Sequence, residues 1–91
     1  MNDRLNALKT QFRERTLANA DDLARAVKDQ DFKALEQIIH SIAGAAGMFG
    51  YAALSERALA IDADFAAGRR PTEQCVTELI GVIRRECGVY S

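Results

Sequence analysis

The stretch DFKALEQIIHSIAGAAGMFG, residues 31–50, decides the fold. Apolar residues recur in it at Phe32, Leu35, Ile39, Ile42 and Ala46, in steps of three and four, and Ile38 widens the stripe. That spacing puts them on one face of an α-helix. Asp31 stands before the first of them as a natural N-cap, since its carboxylate can accept from the free N–H groups of the first turn. Gly47-Met48-Phe49-Gly50 then breaks the period, and Gly50 can take the positive φ that lets the chain reverse.

Three more segments repeat the pattern. Before residue 31, Leu5, Leu8, Phe12, Thr16, Ala20, Leu23 and Val27 form a stripe that weakens at Thr16 and Ala20, so a kink or break is expected near Asn19-Ala20-Asp21-Asp22. After Gly50 come Tyr51, Leu54, Ala58, Ile61 and Phe65. The run Gly68-Arg69-Arg70-Pro71 ends that helix and starts the next, with glycine after one helix and proline at the start of another. The last stripe holds Val76, Leu79, Ile80, Ile83 and Cys87, with Gly81 inside it at a cost of roughly 1 kcal/mol relative to alanine. Four amphipathic helices on short loops predict an all-α, antiparallel up-down-up-down four-helix bundle. Residues 1–91 read as one domain, and a monomer is expected.

Composition narrows the function. The chain has 91 residues, 48% of them hydrophobic, and 12 Lys and Arg stand against 13 Asp and Glu. A nucleic-acid binder would carry a basic surface to neutralise phosphates, so that class is set aside. No apolar run approaches the ~20 residues of a membrane span, and the first residues lack the apolar core of a signal peptide. A cytoplasmic location is the resulting expectation. Cys75 and Cys87 both fall in the last helix, ~18 Å apart along its axis, too far to bridge, and are read as reduced thiols.

His40 is the single histidine. At about 100° per residue the apolar side chains of its helix centre roughly 125° away from it. Its own side carries Lys33, Glu36, Gln37, Ser41, Gly44 and Gly47, so it lies on a polar stripe beside the core seam. Gly44 and Gly47 follow it by one and two turns. Glycine inside a helix is unfavourable, and two on one face ask for a reason. Helix termination suits Gly47. The other reason is a strip bare of side chains, along which another protein's backbone can approach the imidazole. Imidazole is largely neutral near pH 7, and a ring nitrogen can attack phosphorus and hold the group covalently. The chain shows no phosphate-binding glycine loop, no ATP site and no carboxylate cluster for Mg2+, so the metal and the acid-base groups are expected from a partner.

The run from His40 through Ser41-Ile42-Ala43-Gly44 to Gly47 and Gly50 resembles the signature of histidine phosphotransfer (HPt) domains. The Gly-Met-Phe-Gly-Tyr continuation, residues 47–51, is similar to the phosphotransfer domain of chemotaxis histidine kinases. The resemblance implies a four-helix bundle carrying a phosphoryl group reversibly on His40. It implies exchange with the aspartate of a response-regulator receiver domain, and a hybrid histidine kinase as a further partner. It also implies that Gly44 clears the partner's approach, within a docking face of Lys33, Glu36, Gln37, Ser41, Ala43, Gly44 and Gly47. The chain departs from the pattern at Ala43, where the family usually has a lysine that offsets phosphate charge.

Two other readings compete. One is an interaction-only bundle that docks receiver or kinase domains without efficient transfer. The other is a metal-binding bundle using His40, Cys75 and Cys87, which lacks the close ligand pairs of a zinc site. Autonomous ATP-dependent kinase activity is not expected, since 91 residues hold no room for an ATP-binding domain.

Overall fold

The computed structural model describes residues 3–88 and places four helices in them: α1 Asp3–Lys28, α2 Phe32–Ala46, α3 Ala52–Ala66 and α4 Glu73–Cys87. No strand occurs among the described residues. Each helix packs against its two neighbours around a square, α1 on α2 and α4, and α3 on α2 and α4, while the backbones of the diagonal pairs stay apart. This is the antiparallel four-helix bundle that the four apolar stripes require.

Local chemistry sets the helix ends. Asp31 accepts from the Ala34 N–H at 3.1 Å, and Thr72 caps α4 by accepting from the Cys75 N–H at 3.1 Å. Capping of this kind satisfies donors that the first helical turn leaves free. Pro71 is buried one residue before the Thr72 cap, so the proline precedes the helix and does not open it. Gly50 has φ +85°, and the Tyr51 N–H donates to the Ala46 carbonyl at 3.0 Å as the chain turns into α3.

The core joins all four helices. Leu23 of α1, Leu35, Ile39 and Ile42 of α2, Leu54 and Ile61 of α3, and Val76, Leu79 and Ile83 of α4 are fully buried. The expected break in α1 is absent: the helix runs unbroken through residues 19–22. Thr16 and Ala20, where the stripe looked weak, are buried. Their small side chains keep the contact on the core without interrupting the helix. Leu5 and Leu8 depart from the expected stripe, since both are about half exposed. Phe12 already packs on Phe49 and Tyr51 beside the α2–α3 turn, and Arg13 donates to the Cys87 carbonyl at the end of α4. With 26 residues against 15 in each neighbour, α1 extends its first turns past the bundle, where no helix covers them.

No helix among the described residues is long and apolar enough to cross a membrane. Cys87 is buried, and that burial pushes its thiol pKa up, with Glu86 adding to the rise and Arg13 opposing it. A thiol held protonated is a poor nucleophile and a poor metal ligand.

Because Ile39 is buried and His40 is exposed, neighbouring substitutions should differ sharply. Ile39→Ala should cost about 2–5 kcal/mol in denaturant unfolding, the range for truncating a buried aliphatic. His40→Gln should stay within about 0.5 kcal/mol of the parent protein, as surface substitutions usually do.

Candidate functional site

The face opposite the α2 core is where the sequence pattern gathers its unexplained polar residues. Burial of Leu35, Ile39, Ile42 and Ala46 turns His40 outward, and its side chain is 76% exposed. Lys33, Glu36, Gln37, Ser41, Gly44 and Gly47 are exposed with it. Ala43 is the exception. It is only 7% exposed and belongs to the core cluster, so it offers a docking partner almost no surface. At about −60° from His40 around the helix, residue 43 turns to the same side as Gly47, where α3 packs.

The two glycines divide the reasons proposed for them. A Cβ on Gly47 would stand 3.2 Å from the Ser55 Oγ, so this glycine lets the first turn of α3 close on α2. A Cβ on Gly44 would meet nothing within 4 Å. Open space lies over Gly44, one turn from the imidazole, as the cleared-approach reading requires.

Sequence reasoning missed one residue of the site. Asp62 of α3 reaches across to His40, with its carboxylate oxygens 3.0 and 3.2 Å from the ring Nδ1. The register explains the meeting. Gly47 faces Ser55, and seven residues back along α2 and seven forward along α3, two turns of each helix, His40 faces Asp62. A carboxylate can only accept, so Nδ1 carries the hydrogen and donates it. The proton-free lone pair is thereby assigned to Nε2. Asp62 is itself partly shielded, with 25% of its side chain exposed, and forms the inner wall behind the ring.

Charge around the imidazole is lopsided. Asp62 touches the ring and Glu36 lies one turn away on the same stripe. Lys33, on that stripe, is about 10 Å from His40 along the axis. The Ala43 methyl, one turn after His40, supplies no cation. No group of three or more His, Cys, Asp or Glu side chains able to hold a metal ion occurs among the described residues. Cys75 and Cys87 lie on α4, diagonal to α2 in the bundle, and Cys87 is buried while His40 is exposed.

If Asp62 fixes the tautomer, its removal should be visible on the ring nitrogens. In 15N NMR at a pH where the ring is neutral, His40 should show Nδ1 as the protonated nitrogen. In Asp62→Ala the pattern should move toward the mixture of a free imidazole, while circular dichroism stays unchanged. An unaltered tautomer ratio would remove the role given to Asp62.

A family model, the Hpt domain, matches residues 7–87, which takes in α2, α3, α4 and most of α1. No curated protein and no solved structure matches the chain. With the match covering nearly the whole bundle and a single exposed histidine at its centre, the chain belongs to the Hpt domain family, whose role is histidine phosphotransfer in phosphorelays.

Proposed function

We propose that this protein is a phosphocarrier that takes a phosphoryl group on Nε2 of His40 from a receiver-domain aspartyl phosphate and returns it to another such aspartate. The observation that carries this reading is the pairing of an exposed imidazole with Asp62 on its Nδ1 side, which leaves Nε2 pointing outward with its lone pair free.

In the forward step the Nε2 lone pair attacks phosphorus. The P–Nε2 bond forms as the bond from phosphorus to the aspartyl oxygen breaks, and the aspartate leaves as a carboxylate. Nδ1 keeps its proton throughout, so the ring becomes cationic as the bond forms. Asp62 faces that new positive charge and stabilises it electrostatically. In the reverse step a receiver carboxylate attacks phosphorus, the P–Nε2 bond breaks, and the ring returns to neutral. The chain supplies the nucleophile and its orientation. Mg2+ and the remaining polar groups come from the partner's site, and the protein binds no cofactor of its own. It works as a cytoplasmic monomer, receiving from or passing to hybrid histidine kinases and response regulators through their receiver domains.

The docking face is His40 with Lys33, Glu36, Gln37, Ser41, Gly44 and Gly47 on α2, flanked by Leu59 of α3. Leu59, which lines a groove with Gly47, and Met48, which follows Gly47 in the chain, are large apolar side chains left 52% and 75% exposed. Such residues contribute most when a partner covers them.

One observation favours the interaction-only reading, the absence of the usual lysine at Ala43. A single experiment separates the two. Purified protein is mixed with a panel of phosphorylated receiver domains, and acid-labile phosphate on His40 is measured. Transfer from at least one receiver is expected, with none to His40→Gln. A folded Gly44→Leu protein should accept more slowly, since the added side chain occupies the cleared approach. Receivers that bind the protein yet never phosphorylate it would establish the interaction-only bundle instead.

A further inference from the structure

The His40 face is not symmetrical about its histidine. Toward the turn between α2 and α3 it is made of small and apolar residues, Gly47, Ala52, Ser55 and Leu59, with the carboxylate of Glu56 at the edge and no cation among them. Toward the other end, Lys33 and Glu36 of α2 meet Phe65 of α3 and Arg69 and Arg70 of the α3–α4 loop around a shallow depression. Three cations gather there at the same side of the histidine.

Two of these cations are held in place by the fold. The Arg70 guanidinium stacks on the Phe32 ring, 4.3 Å from its centroid. Arg69 donates to Asp64 through both Nε and Nη2, at 3.3 and 2.9 Å. Lys33 forms no ion pair among the described residues. With Asp64 spent on Arg69, the carboxylate left facing Lys33 and Arg70 is Glu36. Among the charged residues that line this depression the three cations outnumber Glu36, while the groove at the opposite end is lined by one charged residue, Glu56.

We infer that this basic end is an orienting contact for the receiver domain, and that the receiver which exchanges with His40 presents carboxylates about 10 Å from its phosphoacceptor aspartate, over Lys33 and Arg70. The inference rests on the phosphocarrier reading. The geometry behind it is simple. Transfer requires the partner's aspartate within bonding reach of Nε2, which pins the middle of the interface. Lys33 lies two helical turns, about 10 Å, from that point. Whatever part of the receiver surface covers the basic end is therefore fixed in distance from its own reactive aspartate, and only one of the two end-to-end orientations pairs unlike charges. Charges at the edge of an interface act chiefly on the rate and correctness of encounter. Lys33 and Arg70 would thus select among receivers and set their orientation without touching the phosphoryl group. They also bring positive charge to a face from which the usual lysine at position 43 is missing.

The test compares wild type with Lys33→Glu and Arg70→Gln. Each protein is first labelled on His40 with phosphoramidate, a small donor that needs no docking surface; equal labelling and equal circular dichroism establish intact folds and intact nucleophiles. Transfer from phosphohistidine to the fastest-accepting receiver of a panel is then followed at low and high ionic strength. The second-order rate constant should fall roughly two- to fivefold in each variant at low salt, the range of exposed charge pairs. The difference should shrink as salt rises and the screening length contracts. The transfer rate at saturating receiver should be unchanged. Wild-type transfer that is equalled or exceeded by Lys33→Glu at low salt overturns the proposal alone. Wild-type protein that labels with phosphoramidate but transfers to no receiver overturns the phosphocarrier reading, and the proposal falls with it.

Discussion

The packing of α2 on α3 is the constraint on which the rest depends. Two faces of α2 have to be satisfied at once. Leu35, Ile39, Ile42 and Ala46 must leave water, and burying them turns His40 away from the core by roughly a third of a turn or more. The close approach of Ser55 to Gly47 then fixes how far α3 slides along α2. Only in that register does Asp62 arrive behind the imidazole. A shift of one residue would rotate His40, if along α2, or Asp62, if along α3, about 100° out of line with the other and leave the ring free to adopt either tautomer. Core packing thus determines the orientation of a residue that is not itself in the core.

On the proposed phosphocarrier function, the site that results is half of an active site. It has an exposed imidazole, a carboxylate that orients it, and open space at Gly44. Such an arrangement suits a reaction in which the two participating proteins each bring part of the machinery. Exposure of His40 serves that purpose, because a shielded imidazole could not enter another protein's pocket. Its placement on a rigid helix serves it too, since the position of Nε2 is set by packing rather than by loop motion. The electrostatics of the face are correspondingly simple. One carboxylate contacts the ring, an apolar end lies to one side and a basic end to the other.

Much of this was legible in the sequence, and for physical reasons. The period of the four stripes specified helices, and the short connections specified an antiparallel bundle. The N-cap at Asp31 and the reversal at Gly50 follow from side-chain and backbone chemistry that acts over a few residues. The phase of His40 within α2 needed only the 100° rotation per residue. What the stripes could not give was depth. Ala43 reads as a neighbour of the histidine, yet the approach of α3 places it in the core. Leu5 and Leu8 continue an apolar period, yet α1 outruns its neighbours and leaves them half covered. Thr16 and Ala20 look like a weak point and are buried helix positions. Asp62 is the instructive omission. A helical hairpin that reverses about residue 51 brings together residues equally far on either side of it, and His40 and Asp62 are both eleven away. The signal was present once the two helices were treated as a folded pair and not as separate stripes.

The central claim is that the fold presents Nε2 of His40, and not Nδ1, as the phosphoryl acceptor, with Asp62 holding the other nitrogen. It is tested most directly by 31P and 15N NMR on protein phosphorylated with phosphoramidate. The account predicts one phosphohistidine whose phosphorus couples to Nε2, with the proton on Nδ1, and no such signal in His40→Gln. Phosphorus bonded to Nδ1, or a wild-type protein that acquires no phosphohistidine, would contradict it.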